Sequence, residues 1–308
     1  MKISGFSMGK DITKLYYPFK ESIMSILPIC DEFIFALGKG DEYNQTRKEI
    51  ESIRSDKIKI IETEWDIDKY TRGTELAHQT DIAKSHCTGD WLFYIQADEV
   101  VHEKYLPIIY QRCKGLIDDK EIEGLLFKYI HFWGDYYHHI DYHGWYKHEI
   151  RIIRNNPEIH SWRDAQSFRK IPNFDGISYH QKKDTYKLKV ALVDAYIYHY
   201  GWVRPPSYMQ SKINTFNAIQ TSNSNLASFD YGGMSKIPLF KGTHPAVMEP
   251  WIRKFNWGNQ LQQKGRRNKG RLPFKHERFK NRLVTFIEKH ILFRPIFEFK
   301  NYILLKKK

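Results

Sequence analysis

Cysteine is scarce in this chain. Cys30, Cys87 and Cys113 are odd in number, far apart and free of any Cys-x-x-Cys spacing, which argues against a disulfide framework or a structural zinc site and favours a reducing compartment. No stretch of eighteen apolar residues occurs, so no segment reads as a membrane span. Residues 1–14 hold no apolar run of signal-peptide length, and the expectation is a cytoplasmic protein. No internal repeat is present. Acid is the scarcer charge, with 36 Asp and Glu against 49 Lys and Arg, a formal net charge of +13. That excess predicts anionic partners, whether nucleotide phosphates, nucleic acid or an acidic membrane surface. Aromatic residues, by contrast, are plentiful at 15% of the chain, as in a packed globular protein rather than a disordered one.

The pattern of the first hundred residues predicts an α/β fold. Strand-like runs at 2–7, 32–37, 57–63 and 91–96 alternate with helix-like segments at 13–27, 44–52 and 74–87. Strands apolar on both faces imply a mostly parallel central sheet covered on two sides, in the Rossmann manner. Ligands of such sheets bind beyond the carboxyl ends of the strands, so the loops at Ser7, Gly38 and Asp98 are expected to meet in one crevice. From 121 to 201 strand-like segments (124–131, 149–154, 195–199) alternate with loops rich in His, Trp, Tyr and Asp. A helix-like segment at 206–220, a polar stretch at 221–228 and a very basic region at 253–282 follow.

The most informative segment is Gly89, Asp90 and Trp91, four apolar residues, then Gln96, Ala97, Asp98 and Glu99. A buried strand that stops on adjacent acids places carboxylates at the mouth of the sheet, where they hold a divalent cation without being buried themselves. Mg²⁺ and Mn²⁺ prefer oxygen ligands, and a cation bridging a diphosphate offsets the charge building on a departing phosphate. The plainer alternative, about equally weighted, is that Asp98 and Glu99 cap a helix starting near Val101.

This segment resembles the signature of family-2 glycosyltransferases with the GT-A fold, in which Gly-Asp-Trp and an apolar run lead to Asp-Ala-Asp-Glu. The run from Thr80 through Asp81 to Thr88 resembles the block preceding that signature, and residues 5–11 sit where the family's first strand meets its nucleoside loop. The resemblance covers roughly residues 1–215, with the blocks in the family's order, and points to a lipopolysaccharide- or capsule-type branch. It implies transfer of a sugar from a nucleotide diphosphate sugar, with Mg²⁺ or Mn²⁺, to a saccharide or lipid-linked acceptor, with inversion at the sugar. Gln96 replaces the first acid of the Asp-x-Asp motif, Asp81 replaces an asparagine, and the loop at 38–41 is less acidic than the family's.

His199, Tyr200, Gly201, Trp202, Val203 and Arg204, followed by Met209 and Lys212, resemble a second block of one branch of that family. In that frame Asp98 and His199 hold the metal. Ser7, Met8, Asp11 and Asp81 flank the nucleoside, Gln96 sits beside the ribose or a metal-bound water, and Arg204 and Lys212 neutralise diphosphate oxygens. A lone histidine ending a strand is otherwise a hydrogen-bonded core residue. An inverting transferase also needs a carboxylate base. Asp135, Asp141, Glu149 and Asp164 are the candidates, with Glu149 preferred because it opens a strand-like segment. A salt bridge from Glu149 to Arg151 or Arg154 is the equal alternative. Trp133, Tyr136, Tyr137, Trp145 and Trp162 offer flat surfaces for sugar rings or plain core. The His-rich run at 136–143 lacks zinc-ligand spacing.

The sequence therefore divides into an expected GT-A domain, 1–215, and a basic C-terminal extension, 216–308. Arg266, Arg267, Lys269 and Arg271, with Lys306, Lys307 and Lys308, flank an apolar and basic stretch at 283–305 that Pro295 interrupts. Such a segment either lies on an anionic membrane surface, giving peripheral attachment at the inner face, or packs as a solvated tail. Two competing functions stand beside the transferase: a catalytically weakened carbohydrate-binding scaffold, suggested by Gln96, and a nucleic-acid-binding protein, for which no motif is present.

Overall fold

The computed structural model describes residues 1–221, 228–265, 267, 270–296 and 299–306. Most of the polar stretch after 221 therefore lies outside the described residues, as do Arg266, Asn268, Lys269, Lys307 and Lys308. In chain order the first half comprises β1 (Ile3–Gly9), α1 (Phe19–Ile26), β2 (Glu32–Gly38), α2 (Tyr43–Glu51), β3 (Ile58–Thr63), α3 (Thr74–Ser85), β4 (Trp91–Tyr94), β5 (Glu99–Val101) and α4 (Leu106–Gly115). The second half comprises β6 (Gly124–Trp133), β7 (His139–Ile140), β8 (His148–Arg154), β9 (Ile159–Trp162), β10 (Ser167–Lys170), β11 (Tyr186–Lys187) and β12 (Lys189–Trp202). These lead into α5 (Pro206–Thr221), α6 (Glu249–Arg253), α7 (Phe279–His290) and β13 (Ile303–Lys306).

The main sheet runs β13-β12-β6-β8-β4-β1-β2-β3, with β5 added to β12 and β7 to β6. Strands β3, β2, β1 and β4 are mutually parallel, and β8 is the antiparallel strand wedged between β4 and β6. This is the α/β architecture with a mostly parallel central sheet that the sequence pattern predicts. Side chains alternate across the pleat. Phe33, Phe35, Leu37, Trp91 and Phe93 pack with α1 and α4 on one face, while Ile34, Ala36, Leu92 and Tyr94 pack with α3 on the other. A third core joins β6 and β12 to the C-terminal part of the chain, where Phe132, Trp133 and Tyr200 meet Tyr231, Met248 and Trp257. Strand β13 then pairs with β12 at the sheet edge. The three cysteines are free and buried.

Several elements depart from the sequence expectation. The helix expected over 13–27 is split into a 3₁₀ turn, Ile12–Leu15, and α1. Tyr16 takes φ 57°, and Pro18 has no N–H to continue a helix through it. The helix expected near Val101 gives way to β5, and α4 begins only at Leu106. Asp98 and Glu99 are thus not helix caps. The antiparallel pairing of β5 with β12 puts Glu99 opposite His199 and carries the end of β4 directly alongside that strand.

Candidate active site

The parallel strands open onto a cleft of about 780 Å³. Its wall is built from the end of β1 and the loop after it (Met8 to Ile12, Lys14, Leu15 and Tyr17), Trp65 and Ile67 after β3, Gln96 to Asp98 after β4, and the inward side of α5. Two non-glycine residues of the first loop, Asp11 and Tyr16, hold left-handed backbone, a conformation costing about 1 kcal/mol or more per residue. The Asp11 carboxylate supports that loop by accepting the N–H of Glu42 at 2.8 Å.

At the floor, Asp98 and His199 come together although 101 positions separate them. Asp98 Oδ1 lies 3.8 Å from His199 Nε2, and Lys212 Nζ donates to Asp98 Oδ2 at 3.0 Å and to the Gly201 carbonyl at 2.9 Å. Burial would raise the Asp98 carboxyl, but the charges of Lys212 and Arg204, joined by His199 where acid protonates it, outweigh it and hold that group well below the ordinary carboxylate range.

The hydrogen bonds behind His199 fix its tautomer. His131 Nε2 lies 2.8 Å from the Tyr146 carbonyl, which only accepts, so that nitrogen carries the hydrogen. Burial brings His131 down to about 3 and His199 down to about 4, so both rings are neutral near pH 7. Neutral His131 then presents a lone pair at Nδ1, 3.0 Å from His199 Nδ1, and His199 must donate there. His199 Nε2 is left bare and faces an ionised carboxylate. Two acceptors facing each other across 3.8 Å suit a shared cation: ligands on one ion with bonds of about 2.1 Å stand roughly 3 to 4 Å apart. Gly201 keeps the space open, because a Cβ there would collide with His199 Nε2 and Asp98 Oδ2. Among the described residues no group of three His, Cys, Asp or Glu side chains gathers into a metal site. A Mg²⁺ or Mn²⁺ ion held by the pair would take its remaining ligands from phosphate and water, the usual arrangement for Mg²⁺.

Glu99, the other half of the acidic pair, has a different task. It is fully buried and Asp98 is only 7% exposed, so both acids depart from the expectation of unburied carboxylates. It accepts from Arg151 Nε at 2.8 Å, Arg151 Nη2 at 2.7 Å and the Tyr129 hydroxyl at 2.8 Å. Together with the Tyr129 contact, this bidentate pair ties the start of β5 to β6 and β8. Gln96 lines the cleft and donates from Nε2 to the Ala165 carbonyl at 3.1 Å. A carboxylate would face that carbonyl with no hydrogen to offer, which gives a local reason for an amide at this position.

The other predicted site residues scatter. Met8, Asp11 and Lys212 line the cleft, whereas Ser7 is buried in β1 and is not part of the lining. Asp81 points to β9 instead, accepting from Ser161 N at 2.8 Å and contacting His160 Nδ1 at 2.9 Å. Arg204 is fully buried, donates to the Leu15 carbonyl at 2.5 Å and lies over the ring of cleft-lining Tyr17, 4.6 Å from its centre. Glu149 forms no salt bridge with Arg151 or Arg154: the first is taken by Glu99, the second by backbone carbonyls. Its Oε1 accepts from Gln166 Nε2 at 2.9 Å, and burial pushes its carboxyl up to about 7. Glu149 lines a smaller neighbouring cavity of about 390 Å³, which shares Tyr146, Asp164 and Gln166 with the main cleft. Of the other acids, Asp135 is engaged by His138 and two backbone N–H groups, and Asp141 pairs with Lys289 at 2.6 Å. His131 and Trp65 escaped the sequence reading. Only the spacing of His131 within an apolar strand marked it, and that pattern equally describes a core residue.

No family model matches the chain, and no curated protein matches it. Solved structures resemble it in part. S. aureus TarS aligns over 74% of this chain and 41% of its own, at 14% identity and a TM-score of 0.36. TarS residues 1–349 in complex with UDP-GlcNAc align over 42% of this chain and 34% of theirs, at 16% identity and a TM-score of 0.29. Glucosyl-3-phosphoglycerate synthase from Mycobacterium tuberculosis, in complex with Mn²⁺, UDP and phosphoglyceric acid, aligns over 42% of both chains at 16% identity and a TM-score of 0.28. This chain spans less than half the length of each.

Proposed function

We propose that the protein is a GT-A-type glycosyltransferase that moves a sugar from a nucleotide diphosphate sugar to a saccharide or lipid-linked acceptor with the help of Mg²⁺ or Mn²⁺. The observation carrying this reading is the bare Nε2 of His199 held opposite ionised Asp98, with a glycine leaving room beside them. Asp98 and His199 would hold the cation, which when bound stabilises the departing diphosphate as a Lewis acid. Lys212, whose ammonium reaches Asp98, neutralises phosphate oxygens beside it. Met8, Asp11 and Trp65 form the nucleoside end, where the Trp65 indole offers a stacking surface. Glu149, poised near neutrality, takes the acceptor hydroxyl's proton as sugar transfer proceeds with inversion. A thermal-shift panel of nucleotide sugars, with and without Mn²⁺, tests the reading. A donor should raise the unfolding temperature only with Mn²⁺, and Asp98→Ala should abolish both that shift and metal-dependent turnover. Full activity in the variant refutes the assignment.

We further propose peripheral attachment to an anionic membrane surface. No helix among the described residues is long and apolar enough to cross a membrane. Helix α7, however, is inverted: it buries Thr285 and Glu288 and exposes Phe279, Leu283 and Phe286. Exposed Arg278, Lys280 and Arg282 fringe that apolar face, and the one carboxylate among residues 278–296 is the buried Glu288. Apolar side chains outward within a basic border match the chemistry of an acidic lipid surface.

A further inference from the structure

We infer that the smaller cavity is the acceptor site and that it takes a neutral saccharide, with the C-terminal part of the chain as one wall. The inference rests on the sugar-transfer reading for the word acceptor, but the cavity's chemistry stands on its own. Its volume, about 390 Å³, lies within the range of small-molecule sites. Trp145, Tyr146 and Phe299 give it flat apolar surface, the complement of a sugar ring's C–H face, whereas the ring of Trp162 is covered by the guanidinium groups of Arg163 and Arg169.

The polar complement is mixed. Trp145 Nε1 and Trp162 Nε1 are both buried without a partner among the described residues, and on the same wall the Ser167 hydroxyl and the Gln166 amide approach the Glu149 carboxyl. Buried polar groups are normally satisfied, so two orphaned donors on one lining mark a place where a ligand supplies the missing partners. The wall thus offers two free donors beside a carboxyl and a hydroxyl. A polyol, whose every hydroxyl both donates and accepts, meets that set, whereas a phosphate, which only accepts in its ionised form, does not. Charge points the same way. In a chain of net charge +13 this wall carries three carboxyls, Glu149, Asp164 and Glu288, against three cations, Lys147, Arg163 and Lys275.

The position is that of a second substrate. Tyr146, Asp164 and Gln166 line both cavities, so a ring in the smaller one abuts the cleft that holds Asp98 and His199. Asp164 sits at the tip of the β9–β10 hairpin between Arg163 at φ 60° and Ala165 at φ 61°, two left-handed non-glycine residues that aim the turn at this boundary. The far wall comes from Glu288 on α7 together with Pro295, Phe299 and Asn301.

The test is saturation-transfer NMR on the full chain with a panel of neutral methyl glycosides (glucose, galactose, mannose, N-acetylglucosamine) and with glucose 6-phosphate. UDP with Mn²⁺, followed by thermal shift, serves as the donor-side control. At least one neutral glycoside should bind. Trp162→Ala should weaken it at least tenfold, and Ser167→Ala, which removes one polar atom with little change of volume, and Trp145→Phe, which removes the indole N–H together with part of the ring, should each weaken it several-fold. UDP–Mn²⁺ binding should be unchanged in the three variants. Glycoside binding that survives all of them, preferential binding of glucose 6-phosphate, or no glycoside binding beside normal UDP–Mn²⁺ binding would each overturn the inference. Loss of UDP–Mn²⁺ binding by the wild-type chain, with glycoside binding intact, would instead sink the transferase reading and leave a saccharide-binding cavity.

Discussion

Replacing Glu149 with glutamine should make the protein more stable at alkaline pH while disabling it. Burial raises the Glu149 carboxyl from an ordinary value of 4.5 to about 7 in the folded chain. A group whose folded value lies above its unfolded one favours folding in its protonated form. Its contribution is intact below about pH 4.5 and is lost as the pH rises towards and through 7. A shift of that size, at about 1.4 kcal/mol per unit, corresponds to about 3 kcal/mol lost across the window. Between pH 5 and pH 8 the wild-type chain should therefore lose roughly 2 to 3 kcal/mol more than Glu149→Gln, which keeps the Gln166 contact and carries no charge. Urea unfolding of both proteins at the two pH values measures the difference. Stability profiles that run parallel would refute the reasoning about burial. In turnover the wild type should gain activity through pH 7 as the carboxylate forms, and the glutamine variant should lose about 10² to 10⁴-fold if this group is the base.

Three further outcomes follow from the same geometry. Gly201→Ala should leave the unfolding midpoint within a few degrees of wild type but remove Mn²⁺ binding, read by titration calorimetry, because the added methyl occupies the space between His199 and Asp98. Arg151→Ala strands the buried Glu99 charge and should cost about 3 to 5 kcal/mol in chemical denaturation, whereas a change under 1 kcal/mol would show that Glu99 finds another partner. Converting Arg278, Lys280 and Arg282 to glutamine removes three attractions of about 1 kcal/mol each and should lower binding to phosphatidylserine-containing vesicles about 100-fold. Equal co-sedimentation of the variant and wild type would dismiss α7 as a lipid-binding element.

Local pattern revealed the framework and little of what ties it together. Strands β1 to β4 and helices α2 and α3 were legible because each is marked within a few residues, the strands as short apolar runs and the helices as the longer mixed segments between them. The break after Tyr16 was half legible: Pro18 stood in the expected helix, yet the left-handed turn that precedes it depends on loop packing. Asp98 and His199 were named through a resemblance to known motifs, since nothing local says that residues 101 positions apart will face each other. His131 was invisible for the same reason, because its meaning lies in a partner on β12 and a carbonyl at Tyr146. Composition showed the terminal segment to be basic and apolar, but only its packing shows that α7 turns its oily side outward. Glu99 is the instructive miss. Adjacent acids looked like one cation site, and the turn into β5 sends one carboxylate to the cleft and the other to Arg151.

Helix α7 gives one side to each of two environments. Glu288 borders the smaller cavity, while Phe279, Leu283 and Phe286 lie on the opposite flank. Settled on a bilayer, such a helix would bring that chamber within one helix diameter, about 10 Å, of the lipid headgroups. An acceptor tethered to a lipid could then present its sugar without leaving the leaflet, and the spacing would select for short headgroups over long ones.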